Sequence, residues 1–272
     1  MSAWQEAPAP AKLNLALVVG PRRPDGKHDV VTVLERLSLA DRVAVRPAPA
    51  TRVSGFEEDT LVRAALEAVS ESARGRLRFE ARIEKRIPVA AGLGGGSSDA
   101  ATALGLANRL LERPLPADAL EEIAGALGTD VPFFLRDRAQ VGTADGTTLE
   151  PIDLPRDYWV VLALPAGVVK ASTAAVYGAF DARGGERGFD ARRQALRAAL
   201  AGVERASDLG RLPPNDLAAS PLTETLRSLG AFRADVSGAG PAVYGLFEAP
   251  DDAGRAAAAL GPETATWIAQ PG

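Results

Sequence analysis

A glycine-rich segment at residues 88–98 constrains the fold of this 272-residue chain more than any other feature. It reads Pro-Val-Ala-Ala-Gly-Leu-Gly-Gly-Gly-Ser-Ser and lies between a strand pattern and a helix pattern. Without a Cβ, glycine lets backbone amides approach an anion closely, and the start of the following helix adds free N–H groups and a positive dipole end. The segment therefore predicts a polyphosphate-binding loop between a strand and a helix.

Two better-known phosphate-binding motifs do not fit this segment. A Walker A loop needs Lys-Ser or Lys-Thr after its last glycine, whereas Ser97 and Ser98 follow directly here. A dinucleotide fingerprint needs an acidic residue at the end of a second strand, and none is suitably placed. Because Ser97, Ser98 and Asp99 are also good helix N-cap residues, a flexible turn that only caps a helix stays open as the alternative.

Composition and charge argue against several classes of protein. A net charge of −4 gives no basic surface for nucleic-acid binding, so no nucleic-acid partner is expected. The absence of cysteine removes disulfides and thiolate chemistry, which suits a reducing interior. No uncharged apolar run approaches the roughly 18 residues of a membrane span, and residues 1–10 lack a signal-peptide pattern. We therefore expect a cytoplasmic protein without a membrane partner.

Strand and helix patterns mix without strict alternation, which favours an α+β fold over a doubly wound parallel sheet. Around residues 150–157 the composition shifts to proline and charge, as is typical of an interdomain connection, so we expect domains at 1–152 and 153–272. Strands are predicted at 12–19, 77–87, 158–164, 232–237 and 242–247. Helices are predicted at 60–70, 97–111, 117–127, 172–180, 192–200, 216–229 and 252–260.

Two polar segments stand near the start of the chain. In Pro-Ala-Lys-Leu-Asn-Leu, at residues 10–15, Lys12 and Asn14 share one side of a strand, which taken alone is typical of solvated surface. Residues 22–29 form a charged segment with an Asp25-Gly26 turn, as in a hairpin loop. This segment contains His28, the single histidine of the chain.

Two further segments follow the glycine loop. Asp130 comes directly after a predicted helix that ends at Gly128, where it could simply cap or turn the chain. Residues 235–241, Asp-Val-Ser-Gly-Ala-Gly-Pro, make a second glycine turn late in the chain.

Taken in this order, the segments resemble the motifs of the GHMP kinase superfamily, and the resemblance runs from Pro10 to about Phe247. It implies a two-domain fold, with an N-terminal α+β domain of the ribosomal-protein-S5-domain-2-like type and a ferredoxin-like C-terminal domain. It also implies ATP and Mg²⁺ as cofactors. The segment at residues 22–29 is similar to the branch that phosphorylates cytidyl sugar alcohols, so a small-molecule substrate of that class is expected.

The resemblance also implies roles for single residues. Asp130 would act as the catalytic base and Lys12 would stabilise the attacking oxygen. The implied ATP-binding residues are Pro88, Val89, Ala90, Ala91, Gly92, Leu93, Gly94, Gly95, Gly96, Ser97 and Ser98. The implied substrate-binding residues are Asn14, Lys27, His28, Thr173 and Tyr177. The third glycine motif, which would close over phosphates and substrate, comprises Ser237, Gly238, Ala239 and Gly240.

The sequence departs from the family pattern at Lys27, where relatives carry a tyrosine that stacks on cytosine. We expect Tyr177 to cover one face of the base, and the Lys27 ammonium to reach toward the substrate diphosphate. The alternatives are another GHMP kinase, such as homoserine or mevalonate kinase, and a catalytically silent nucleotide-binding protein on the same fold. The metal ligands, and the choice between monomer and homodimer, stay open.

Overall fold

The computed structural model describes residues 3–56, 59–73, 75, 77–168 and 172–272. The chain divides into two compact units that are not continuous in sequence: Met1–Ala11, Ala40–Val89 and Gly94–Asp137 form the first, and Lys12–Leu39, Ala90–Leu93 and Arg138–Gly272 form the second. The predicted boundary at 152/153 is a linear division of the chain and stays a prediction.

Two long antiparallel strands begin the chain and contribute residues to both units. The strands of the N-terminal half are β1 (Gln5–Arg22), β2 (His28–Ala48), β3 (Arg52–Ser54) and β4 (Arg78–Glu84). In the first unit β4 pairs antiparallel with residues 42–48 of β2 and parallel with β3. β1 also pairs with β2, and the turn at Asp25 and Gly26 joins these two strands as predicted, with Gly26 at a φ of 83°.

Helices of the first unit pack on one another through small and aliphatic residues. They are α1 (Leu61–Ser72), α2 (Gly95–Arg109) and α3 (Ala117–Leu127), followed by a 3₁₀ turn at Pro132–Leu135. The buried face of α1 carries Val62, Ala65, Leu66 and Val69, which are spaced i, i+3, i+4 and i+7. The helix α3 has the bounds that the sequence predicts, and α2 begins two residues before its predicted start at residue 97.

The second unit contains a β-hairpin and a four-stranded antiparallel sheet. The hairpin strands are β5 (Ala139–Thr143) and β6 (Thr148–Ile152), and β5 pairs with residues 32–34 of β2. The sheet has the order β10-β7-β9-β8, with bounds β7 (Trp159–Pro165), β8 (Arg233–Val236), β9 (Val243–Phe247) and β10 (Thr264–Ala269). The helices are α4 (Thr173–Ala182), α5 (Phe189–Ala201), α6 (Leu222–Ser228) and α7 (Pro250–Ala259). Mixed helices and antiparallel strands confirm the α+β prediction.

The predicted helix at 216–229 is wrong in its first half, since α6 begins at Leu222. Residues before it use their backbone elsewhere, because Asp216 N–H donates to Leu17 O (2.9 Å) and the Asp216 carboxylate accepts from Val19 N–H (2.8 Å). Pro221, at the N-cap of α6, has no backbone N–H, so it cannot donate the hydrogen bond that a helix running through this position would need. Tertiary hydrogen bonds therefore replace helical ones in this stretch.

Across the described ranges, no helix combines the length and the apolar character needed to cross a membrane.

Candidate active site

A chain of buried polar hydrogen bonds on β1 and β2, in the second unit, contains two of the predicted site residues, Lys12 and Asn14. Lys12 Nζ donates to Asn14 Oδ1 (2.6 Å), Asn14 Nδ2 donates to Thr32 Oγ1 (2.8 Å), and Thr32 Oγ1 donates to Ala16 O (2.8 Å). Lys12 is 4% exposed and Asn14 is 6% exposed, so the solvated-surface alternative for this pair is wrong. Because each polar group forms a hydrogen bond with the next, this polar chain fixes the Lys12 ammonium and the Asn14 amide in one orientation.

The third glycine motif packs directly on this polar chain. Gly238 has a φ of 58°, and a Cβ at this position would lie 3.1 Å from Asn14 Oδ1 and 3.5 Å from Lys12 Nζ. Asn215 holds the turn in place, since its Nδ2 donates to Val236 O (2.9 Å) and to Gly238 O (2.6 Å). Only glycine therefore allows this turn to approach the Lys12 ammonium closely.

Residues 90–93 of the glycine loop are anchored to the same unit by backbone contacts. Lys12 N–H donates to Leu93 O (2.9 Å) and Ala242 N–H donates to Ala91 O (3.0 Å). Ser237 Oγ donates to Gly92 O (3.1 Å), and a Cβ on Gly92, whose φ is 85°, would lie 2.5 Å from Ser237 O. This part of the loop is thus held on both sides and is not a flexible turn.

The remaining part of the loop opens α2 in the first unit. Gly94 is the N-cap with a φ of 71°, and no side chain caps the helix. Gly94 to Ser97 are partly exposed, while the Ser98 hydroxyl is buried and lacks a hydrogen-bond partner within the described part of the chain. The capping alternative for Ser97 and Ser98 is therefore wrong, and the first N–H groups of α2 lie at an accessible surface where an anion would be favoured.

A buried charge cluster that the sequence reasoning missed holds both ends of this loop together in the first unit. Lys85 Nζ donates to Asp41 Oδ2 and to Asp99 Oδ2, the latter at 2.6 Å. Asp41 Oδ1 accepts the N–H groups of Arg86 and Ile87, just before the loop, while Asp99 lies in α2 just after it. Burial raises the pKa of Asp99 to about 7, although Lys85 opposes this shift. These contacts fix the distance between the end of β4 and the start of α2.

A second polar cluster in the second unit surrounds His28, at the start of β2. Its ring stacks on Tyr177, with a centroid distance of 4.8 Å and an interplanar angle of 27°, and Phe180 meets it edge-on at 5.9 Å. His28 Nε2 lies 2.7 Å from Asp181 Oδ1. Tyr177, Phe180 and Asp181 are spaced i, i+3 and i+4 on α4, so one helix face supplies all three contacts.

Lys27 forms an ion pair in this structure. Its Nζ donates to Asp145 Oδ2 (2.6 Å), at the turn between β5 and β6. Burial alone would raise the pKa of Asp145, but hydrogen bonds from Lys27 and Thr147 outweigh it and lower that pKa to about 2. The carboxylate is therefore ionised at neutral pH, and it holds the Lys27 ammonium beside the segment that contains His28.

Asp130 and Thr173 take less constrained positions. Asp130 is half-buried between α3 and the 3₁₀ turn, after Gly128 in extended backbone. Thr173 is exposed in the first turn of α4, where the Ser172 hydroxyl caps the helix by accepting from Ala175 N–H (3.1 Å). Asp130 belongs to the first unit and Lys12 to the second, and the joint role implied for these two side chains stays a prediction.

Several contacts in these clusters are not predicted by the sequence. Asp181 could have been found from its i+4 spacing to Tyr177, once the helix was predicted. The others join residues far apart in sequence, and no local pattern marks them: Asn14 with Thr32, Asn215 with Gly238, Lys85 with Asp41, and Lys27 with Asp145.

Comparison with known proteins identifies the class of protein. The family model described as "GHMP kinases N terminal domain" matches residues 60–138, and the model described as "GHMP kinases C terminal" matches residues 194–265. This chain belongs to the GHMP kinase family, which confirms the resemblance of its motifs and the two-domain GHMP fold.

Within that family, several similar proteins carry the same name. A protein of Kineococcus radiotolerans named 4-diphosphocytidyl-2-C-methyl-D-erythritol kinase is 39% identical over 94% of this chain and 85% of its own length. Its namesake in Geobacter sulfurreducens is 35% identical over 96% of this chain and 95% of its own length. A crystal structure of 4-(cytidine 5'-diphospho)-2C-methyl-D-erythritol kinase matches with a TM-score of 0.80 and 34% identity, covering 98% of this chain and 100% of that one.

Proposed function

We propose that this chain transfers the γ-phosphoryl group of ATP to the 2-hydroxyl of 4-diphosphocytidyl-2-C-methyl-D-erythritol, a step of non-mevalonate isoprenoid precursor biosynthesis. The similar proteins named above support this substrate. One observation within the structure carries the proposal: β2 presents His28 and Thr32 on the same strand, with Asn14 and Lys12 bonded beyond Thr32.

Spacing along β2 suits a long substrate. Alternate residues of a strand share a face, so His28 and Thr32 lie on one face and about 13 Å apart, four steps of roughly 3.3 Å. A cytidyl diphosphate ester can place its base at His28 and its alcohol near Asn14 and Lys12. Free homoserine or mevalonate is too short to use both ends, which argues against the rival GHMP kinases.

Phosphoryl transfer through a loose transition state asks the protein mainly to align the hydroxyl and to neutralise charge. In our proposal Asp130 accepts or orients the proton of the 2-hydroxyl. The hydroxyl oxygen forms a bond to the γ-phosphorus while the bond to ADP breaks. Lys12, fixed by Asn14, stabilises negative charge on the attacking oxygen.

The backbone of the glycine loop would bind the phosphates of ATP. The backbone N–H groups of residues 94–97, which are partly exposed, and the start of α2 would hold the phosphates. Ser97 is accessible and Ser98 is buried, so we expect the Ser97 hydroxyl to reach a phosphate oxygen and the Ser98 hydroxyl to stay within the fold.

Mg²⁺ would accompany ATP and neutralise charge on its phosphates. Among the described residues, no group of three or more histidine or carboxylate side chains is placed to hold a metal. A hydrated Mg²⁺ bound mainly to the phosphates fits this surface, since Mg²⁺ commonly keeps several waters and takes few protein ligands.

A coupled assay of ADP release tests the proposed function. With ATP and Mg²⁺ present, we expect release with 4-diphosphocytidyl-2-C-methyl-D-erythritol and none above background with homoserine, mevalonate or free methylerythritol. Release with homoserine or mevalonate alone would identify another GHMP kinase. ATP binding without release for any compound would identify a silent nucleotide-binding protein.

A further inference from the structure

We infer that Asp181 is a positioning residue that fixes the tautomer of His28 and thereby makes the site select cytosine over uracil. The inference rests on the proposed function, because it concerns the base of the same substrate. It assigns a role to a residue that contacts the histidine and not the reacting atoms.

The geometry restrains the His28 ring on several sides. The residue is only 6% exposed, Tyr177 covers one face, and Phe180 meets the ring edge-on. Asp181 Oδ1 lies 2.7 Å from Nε2. A ring held in this way cannot exchange its two nitrogens by rotation without losing the carboxylate contact and the stacking.

A carboxylate accepts hydrogen bonds and cannot donate them, so His28 Nε2 must carry a proton when it contacts ionised Asp181. In the neutral imidazole the other nitrogen, Nδ1, then has a lone pair and accepts. No described residue forms a hydrogen bond with His28 Nδ1. Nδ1 of a neutral imidazole can be a donor or an acceptor, depending on the tautomer. Asp181 thus fixes His28 Nδ1 as an acceptor.

A fixed acceptor distinguishes the two pyrimidines. Cytosine carries an exocyclic amino group at C4, which donates, and uracil carries a carbonyl oxygen there, which accepts. Nδ1 with a lone pair accepts from the amino group and repels the carbonyl. An acceptor that the bound base covers and leaves without a donor reduces binding, so we expect roughly a 10-fold to 100-fold preference for cytosine.

Arg22 supports the orientation of Asp181 from the other side. Its Nε lies 3.7 Å from Asp181 Oδ2, and both side chains are partly exposed, at 68% and 39%. The pair is therefore weak by itself, but it leaves Oδ1 directed at His28. Since Asp181 is accessible, its replacement should not unfold the chain.

A direct test uses the fact that the chain contains one histidine. In protein labelled with ¹⁵N-histidine, the two imidazole nitrogens of His28 give the only side-chain histidine signals. At pH 8, where an ordinary imidazole is neutral, we expect a protonated Nε2 and an unprotonated Nδ1. A protonated Nδ1, alone or together with protonated Nε2, would overturn the inference whatever the enzyme's activity.

The Asp181→Leu variant should show both tautomers in exchange, whereas the matched control Asp190→Asn, which removes an exposed carboxylate paired with Arg193, should retain the wild-type signals. Titration with CDP and UDP, followed through the His28 nitrogens, should show a preference for CDP in the wild type that falls to below 3-fold in Asp181→Leu. An unchanged preference would refute the role of Asp181. Failure of the proposed function would appear separately, as absent ADP release with an intact tautomer and CDP preference.

Discussion

Lys12 carries its charge at a position that is only 4% exposed, and its ammonium is directed by Asn14 at 2.6 Å. A charge held so firmly suits a transition state that develops negative charge on an attacking oxygen. The same scheme requires a proton acceptor, for which Asp130 is proposed. The proposed chemistry thus depends on both Lys12 and Asp130.

Replacing Asp130 by asparagine keeps the shape of the side chain but removes its ability to take a proton. We expect kcat to fall by about 10² to 10⁴, the usual scale for loss of a general base, while ATP affinity is retained. Steady-state kinetics and an ATP titration measure the two effects.

Asp118→Asn is the matched control, because Asp118 is an exposed carboxylate in the first turn of α3 in the same unit. It should leave kcat unchanged. Near wild-type turnover of Asp130→Asn would exclude Asp130 as the base.

Tyr177 provides the aromatic surface against His28. Because base stacking on an aromatic ring contributes about 1 to 3 kcal/mol, Tyr177→Ala should raise KM for the cytidyl substrate by roughly 5-fold to 100-fold. KM for ATP should change little. Tyr177→Phe retains the ring and should stay close to wild type, and an equal loss in both variants would show that the hydroxyl matters and stacking does not.

For single residues, the sequence predicted which residues form the motifs but not the contacts that hold their side chains in place. Lys12, Asn14 and His28 were predicted from short motifs and lie buried with polar partners. Thr32 contacts Asn14 across the β1–β2 hairpin, and Asp145 contacts Lys27 from 118 residues away, and no local spacing encodes either side-chain contact. The role of Lys27 toward the diphosphate stays a prediction, and its ammonium would have to leave or share Asp145 to take that role.

In the proposed function, ATP binding depends at the level of secondary structure on the junction between the glycine loop and α2. Gly94 has a φ of 71°, so a larger residue there would strain the backbone whether or not ATP binds. Gly96 is better suited to a test, since a Cβ there would meet only Leu61 Cδ1, at 3.9 Å.

Gly96→Ala should therefore leave the fold intact or stabilise α2, by up to about 1 kcal/mol. If phosphates contact the first turn of α2, the added methyl group should weaken ATP binding by roughly 10-fold or more. Calorimetric titration with ATP and thermal unfolding give the two values.

Gly105→Ala is the control in the same helix, because a Cβ there has no neighbour within 4 Å. It should leave ATP affinity unchanged. If Gly96→Ala also binds ATP as the wild type does, the phosphates do not lie against this turn.

The prediction of helices and strands succeeded where a local sequence pattern marked the element. It failed where tertiary contacts determined the secondary structure. The helix α3 was predicted from its apolar spacing and closing glycine. The strand β2, which carries His28 and Thr32, was missed as a strand, although it extends over 21 residues. Its side chains are buried on both faces along much of its length, so it lacks the alternation that marks an exposed strand.

The whole molecule should lose stability as the pH rises toward neutral, because of one buried acid on β2. Glu35 is 0% exposed, and burial raises its pKa from 4.5 to about 7, against the opposing effects of Arg36 and Arg156. Its folded form binds a proton more tightly than its unfolded form. Its stabilising contribution is therefore fully present below about pH 4.5 and is lost as the pH rises through 7.

Glu35→Gln removes this titration and should raise stability at pH 8 by on the order of 2 kcal/mol, or a few degrees in Tm, with little effect near pH 5. Thermal unfolding of both proteins at several pH values measures the difference. The exposed Glu122→Gln serves as control. A gain from Glu35→Gln that is equal at pH 5 and pH 8 would contradict the assignment.

At the scale of the whole chain, the order of the motifs predicted the family and the fold class. The family models and similar structures confirm both. The division into two discontinuous units could not be predicted, because it depends on how β1 and β2 run through both. A composition shift detects only linear boundaries.

Locating the transferred phosphate tests the proposed function most directly. With 4-diphosphocytidyl-2-C-methyl-D-erythritol labelled with ¹³C at C2, ATP and Mg²⁺, the ³¹P spectrum should gain one phosphomonoester signal coupled to that carbon, in step with formation of ADP. A phosphomonoester on any other hydroxyl, or ATP left unconsumed while the chain is folded and binds nucleotide, would contradict the proposed function.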